Sequence, residues 1–229
     1  MALVESAAAR RRPSGHGVPG HGGERPHHIP LRNFLQGLGY VTQPWGQGLN
    51  FGPRAGVLER CADDIRALAD AHGQPVSLIG WSLGGIYARE MAKLHPEISR
   101  CVITLGTPFT GHPKATNAWR LYEFVSGGSV SDDQLMEQIR QPPPVPTTSI
   151  YSRTDGIVAW RCSINPPGPL AENIEVHASH IGMGSNPLSL YAVADRLAQP
   201  IQGWQKFEAS GMRRWFFRTA PAEAVAAAG

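Results

Sequence analysis

Ser82 stands between two glycines in Gly80-Trp81-Ser82-Leu83-Gly84. The apolar run Val76-Ser77-Leu78-Ile79 precedes it, and Tyr87, Met91 and Leu94 recur at helical spacing after it. A strand that turns directly into a helix through such a sequence holds its central residue in a strained backbone conformation. The flanking glycines remove side chains that would clash there. The turn raises the hydroxyl clear of the strand, and the backbone N–H of Leu83, at the helix start, points to where negative charge develops when an ester carbonyl is attacked. The bland alternative is an ordinary serine in a glycine-rich turn. The flanks match the motif as well as its centre does, which favours a nucleophile.

A serine hydroxyl is weakly nucleophilic at neutral pH and needs a base, with a third group to orient that base. For a nucleophile on this kind of turn the chain order is serine, then an acid, then histidine, each on a loop after a strand. Asp155 follows the strand candidate Thr147-Thr148-Ser149-Ile150-Tyr151-Ser152, and Gly156 permits the tight turn that faces a carboxylate inward; the alternative is a plain Asp-Gly turn. Two histidines, His177 and His180, compete for the role of base. His177 directly follows a strand candidate and suits an exposed edge, whereas His180 precedes Ile181-Gly182-Met183-Gly184, where small residues leave room for a turning loop and a substrate. His180 is therefore chosen. Trp81, Ile157 and Met183, beside these positions, are candidates for contact with a hydrophobic group of the substrate. For Trp81 and Met183 core packing is an equal alternative.

Positioning these groups requires alternating strands and helices. Pro30 to Gly39 reads as a helix, Tyr40 to Trp45 as a short strand, and Val57, Leu58, Cys61, Ile65 and Leu68 share one face of a second helix stopped by Gly73 and Pro75. The strand at 76–80, the helix after Leu83 and the buried strand Cys101-Val102-Ile103-Thr104-Leu105 form a strand–helix–strand unit, which favours a parallel sheet. From Thr107 to Pro146 the period is lost, with Trp119, Tyr122 and Phe124 on one possible helix; this stretch reads as an inserted cap. Asn173 to Val176 is a further strand, and Leu190, Val193, Ala194 and Leu197 mark a last helix.

The chain has 229 residues, 41% hydrophobic and 17% charged, as a soluble globular protein does. A net charge of +3, carried by scattered arginines, argues against nucleic acid as a partner. No apolar run reaches the roughly 18 to 20 residues of a membrane-spanning helix, and no secretory signal is visible; a cytoplasmic protein is expected. Cys61, Cys101 and Cys162 have no metal-like spacing and read as buried thiols. His95 falls at a helix end, where a cation is favourable. His16, His21, His27 and His28 crowd a Gly- and Pro-rich stretch, but no cysteine stands at ligand spacing beside them, and no metal is expected.

Taken together, Leu78 to Gly85, Thr104 to Gly111, Ser149 to Val158 and Ser179 to Pro187 resemble the α/β-hydrolase superfamily, in particular its small bacterial lipase- and esterase-like members, over about 30–207. The resemblance implies an α/β fold: a mostly parallel central sheet with helices on both faces. It also implies a short cap at about 107–146, a catalytic triad of Ser82, Asp155 and His180, and no cofactor. Residues 1–29 are expected to be irregular, with the first strand region degenerate, and 208–229 to form a tail. Family members carry a second oxyanion donor after an N-terminal strand ending in a His-Gly or Pro-Gly turn. Pro19-Gly20-His21 lies at about that distance, which assigns His21 the role, although residues 11–18 cannot make the apolar strand. The expected activity is cleavage of a small-molecule or lipid carboxylic ester. The alternatives are acyl transfer or thioester cleavage by the same triad, or a weakly catalytic relative that binds a lipid or partner.

Overall fold

The computed structural model describes residues 3–8, 29–44, 57–110, 137–200 and 202–219. Seven strands form one sheet: β1 (Leu3–Ala8), β2 (Val41–Gln43), β3 (Val76–Trp81), β4 (Ser99–Leu105), β5 (Thr147–Tyr151), β6 (Ala171–Glu175) and β7 (Arg218–Thr219), in the order β2-β1-β3-β4-β5-β6-β7. The centre, β3 through β6, is parallel, while β1 runs antiparallel to both β2 and β3, and β7 antiparallel to β6. Among the described residues four α-helices cover the sheet: α1 (Ile29–Gly37), α2 (Val57–His72), α3 (Leu83–Leu94) and α4 (Pro187–Leu197).

Alternation along the central strands sends side chains to two separate cores, because successive residues of a strand point to opposite faces. Val76 and Leu78 of β3 and Val102 of β4 join Cys61, Ile65 and Leu68 of α2 and Ile86, Tyr87 and Met91 of α3 on one face. Ile79 and Trp81 of β3, with Ile103 and Leu105 of β4, join Leu31 and Leu35 of α1 and Ala192, Val193 and Leu197 of α4 on the other. Each fully buried aliphatic side chain contributes about 1.5–3 kcal/mol relative to exposure. The two-sided cover explains why β3 and most of β4 read as nearly unbroken apolar runs: they have no solvent face.

The structure departs from expectation in both terminal segments. Within the segment taken as irregular, Leu3–Ala8 forms β1, between β2 and β3. Within the segment taken as a tail, Arg218–Thr219 adds the edge strand β7. Neither stretch shows a strand period; pairing with a neighbour, not intrinsic preference, makes each a strand. Residues 111–136, the greater part of the expected cap with Trp119, Tyr122 and Phe124, lie outside the described residues, as do residues 11–18 and the four N-terminal histidines.

Candidate active site

β3 passes directly into α3 at Ser82, whose φ of 54° and ψ of −130° make it the one non-glycine residue with positive φ among the described residues. Such a conformation costs of order 1–3 kcal/mol and persists only where the surroundings impose it. They do so here by close backbone approach. A Cβ on Gly80 would collide with Gly84 O and Gly85 Cα, and one on Gly85 with the Thr107 side chain. The glycines thus let the strand end, the helix start and the loop after β4 touch. Ser82 N–H donates to Leu105 O at 2.8 Å, fixing the turn against the end of β4. The Ser82 side chain is half-buried, and Leu83 opens α3, where an N–H has no partner within the helix.

Asp155 and His180 come together at the ends of β5 and β6. His180 Nδ1 and Asp155 Oδ2 are 2.7 Å apart, with both side chains buried. Asp155 Oδ1 accepts from Ile157 N–H at 2.9 Å and Val158 N–H at 2.6 Å, an arrangement that the turn at Gly156, φ 75°, makes possible. Three donors around a single carboxylate compensate for the water it loses on burial. The two loops are also laced to each other. Ser152 Oγ accepts from Ala178 N–H at 3.1 Å, Thr154 Oγ1 donates to Ala178 O at 3.2 Å, and His180 N–H donates to Asp155 O at 2.9 Å. Asn186 closes the far end: its Oδ1 caps α4 at Leu188 and Ser189 N–H, and its Nδ2 donates to His177 O.

The turn and the pair meet at β4. Leu105, whose carbonyl holds Ser82, is followed by Gly106, whose Cα faces both the Asp155 carboxylate and the His180 ring. On the other side the rings of Trp81 and His180 lie 6.2 Å apart, tilted by 47°. Ser82 Oγ itself makes no hydrogen bond among the described residues. His177, the rejected alternative, is exposed.

The other expected contact residues divide. Ile157 is 65% exposed beside Asp155 and so has surface to offer a ligand, while Trp81 is buried in the core with its ring beside the imidazole. Met183 has 0% exposure and packs in the same core, as the core-packing alternative has it. His21 lies outside the described residues. Among the described residues no group of histidine, cysteine and acidic side chains is arranged to hold a metal ion. The residues that pattern reading passed over are Gly85 and Gly106, which carry no functional atom but set the contacts of Ser82 and Asp155; the doubled glycine at 84–85 and the Gly-Thr-Pro segment at 106–108 were their visible signals.

A sheet with a parallel centre and helices on both faces, carrying a serine at a strained strand-to-helix turn and an Asp–His pair after two later strands, has a hydrolase-type α/β architecture. The sequence profile of the Alpha/beta hydrolase family matches residues 12–228, and the chain belongs to that family. No curated protein matches it. Among solved structures, a Bacillus licheniformis lipase is 19% identical with a TM-score of 0.46, over 60% of this chain and 71% of that one. A Paleococcus ferrophilus monoacylglycerol lipase is 15% identical with a TM-score of 0.48, over 73% and 86%. The thioesterase domain of the curacin biosynthetic pathway is 15% identical with a TM-score of 0.46, over 75% and 86%. No helix among the described residues is long and apolar enough to cross a membrane.

Proposed function

We propose that this protein is a serine hydrolase that cleaves carboxylic esters through an acyl-enzyme on Ser82. The observation that carries the reading is the buried 2.7 Å contact between Asp155 and His180, after β5 and β6, across β4 from a serine held at positive φ at the end of β3. An ionised carboxylate only accepts hydrogen bonds, so in the neutral imidazole Nδ1 bears the proton and Nε2 keeps its lone pair as a base. Nε2 takes the Ser82 hydroxyl proton as Oγ bonds to the ester carbonyl carbon. Leu83 N–H steadies the resulting oxyanion. The C–O bond to the alcohol then breaks, the alcohol leaves with the proton from Nε2, and water repeats the sequence in reverse to free the acid. No cofactor takes part. Exposed Ile157 and Ile181 flank Asp155 and His180 and suit a hydrophobic acyl or alcohol group.

The test is labelling by a fluorophosphonate together with hydrolysis of p-nitrophenyl esters from acetyl to long acyl. Wild type is expected to label and to turn over, and Ser82→Ala to do neither. Folded wild-type protein that neither labels nor hydrolyses any ester of the series refutes the reading.

A further inference from the structure

The segment after Phe207 is pinned on one side and bare on the other. Phe217 is buried, its ring 5.1 Å from that of Phe207 and 5.5 Å from that of Tyr191. Arg213 donates to Asp195 of α4 at 2.8 Å and lies over the rings of Phe207 and Tyr191. Between these anchors the 3₁₀ turn Gly211–Trp215 and the residue after it hold Met212, Trp215 and Phe216 outward, 82%, 75% and 60% exposed. Three large apolar side chains within five residues, left in water while their neighbours are buried, form a surface that favours contact.

Charge says with what. Over residues 204–219 the cations are Lys206, Arg213, Arg214 and Arg218, and Glu208 is the single acid. Arg214 and Arg218 are exposed, and the Arg214 guanidinium lies 5.4 Å from the Trp215 ring. Two acids on neighbouring elements are engaged: Asp195 with Arg196 and Arg213, and Glu175, across the strands from Arg218, with Arg153 and Tyr151. The partner surface is therefore negatively charged and accepts aromatic rings. The interface of a membrane with anionic phospholipids has both properties, since tryptophan settles at headgroup level and guanidinium groups match phosphate.

Register supplies the orientation. Glu175 at the C-terminal end of β6 pairs with Arg218, so Phe216 lies just beyond the end of the sheet from which the His180 loop departs. We propose that Met212, Trp215 and Phe216, ringed by Arg214 and Arg218, dock this protein on an anionic lipid surface with the strand ends that carry Ser82, Asp155 and His180 on the same end of the molecule. The docking goes beyond the ester chemistry and does not depend on it.

Co-sedimentation of the full chain with vesicles tests it. One set is pure phosphatidylcholine and the other contains equal parts of phosphatidylcholine and phosphatidylglycerol, each at low and high salt. Wild type is expected to pellet with the anionic vesicles at low salt and to be released by high salt. The triple variant Met212→Ser, Trp215→Ser, Phe216→Ser and the single variant Arg214→Glu are each expected to lose about tenfold or more in partitioning, with unchanged circular dichroism and unchanged turnover of a water-soluble acetyl ester. The proposal is overturned by wild type that stays in the supernatant, by equal binding to pure phosphatidylcholine, or by variants that bind as well as wild type. A wild-type dimer that the triple variant dissolves, without vesicle binding, assigns the patch to a second copy of the chain and equally overturns it. A failure of ester hydrolysis leaves the vesicle result untouched, so the two readings fall separately.

Discussion

A Cβ placed on Gly106 would stand 2.8 Å from Asp155 Oδ2 and 3.2 Å from His180 Nδ1, so the chain leaving β4 forms a wall directly behind the Asp–His contact. At a φ of 52° the position is strained for any other residue as well. Gly106→Ala is expected to keep the fold at a cost of about 1–2 kcal/mol while lowering kcat by about tenfold to a hundredfold. Ester kinetics and thermal unfolding of the same sample check this, and a variant with wild-type kcat would show that the pair tolerates displacement.

Ser82 trades stability for the placement of its hydroxyl. Ser82→Gly relaxes the backbone, and a gain of about 1 kcal/mol or more in unfolding free energy is expected. Both Ser82→Gly and Ser82→Ala should lose turnover by about 10⁴-fold or more. A urea titration of Ser82→Gly beside Ser82→Ala isolates the strain, since both lack the hydroxyl and only one tolerates positive φ without cost.

Two carboxylate variants separate orientation from burial. Asp155→Asn keeps the volume but makes the group a donor as well as an acceptor, which favours the wrong imidazole tautomer; a kcat loss of about 10³- to 10⁴-fold is expected with a small change in stability. Asp155→Ala also strands Ile157 N–H and Val158 N–H in a buried setting and should cost a further 1–3 kcal/mol, roughly. His180→Ala should be inactive and His177→Ala active, because the imidazole of the latter lies in solvent; an inactive His177→Ala would reassign the base.

Burial pushes the Cys61 thiol up from its ordinary 9.0 to about 12, and raises Cys101 and Cys162 as well. The folded state holds these protons more tightly than the unfolded chain. The linked stability is therefore complete below pH 9 and falls as pH climbs from there toward 12. Iodoacetamide at pH 8 should leave the Cys61 and Cys101 thiols of native protein unmodified and label them in denaturant, as mass spectrometry of digests would show.

The centre of the fold and the positions of Ser82 and Asp155 are legible for one reason: each lies just after the end of a strand buried on both faces. Val76 to Trp81 and Thr147 to Tyr151 are apolar or small throughout, so their ends, and hence Ser82 and Asp155, stand out from the chain. His180 was separable from His177 because the glycines after it announce a turning loop. What pattern could not supply was structure created by partners. Leu3–Ala8 is a strand because β2 and β3 flank it, and Arg218–Thr219 because β6 offers an edge. The burial of Met183 is likewise decided by how the loop after His180 folds back between β6 and α4, a matter of packing that neighbouring residues in sequence do not encode.

The C-terminal stretch is bound to the interior by more than its aromatic rings. Arg196 of α4, buried, reaches Glu172 of β6 at 3.2 Å and the carbonyl of Gln205 at 2.7 Å, while Glu172 also accepts from Thr148 Oγ1 and Phe207 N–H. Arg196 and Glu172 thereby knot two parallel strands, a helix and the segment at 205–207. Cutting the chain before Gln205 would leave that guanidinium and its carboxylate short of partners inside the protein, so a C-terminally clipped form should unfold at lower temperature even though every residue proposed for catalysis remains in place.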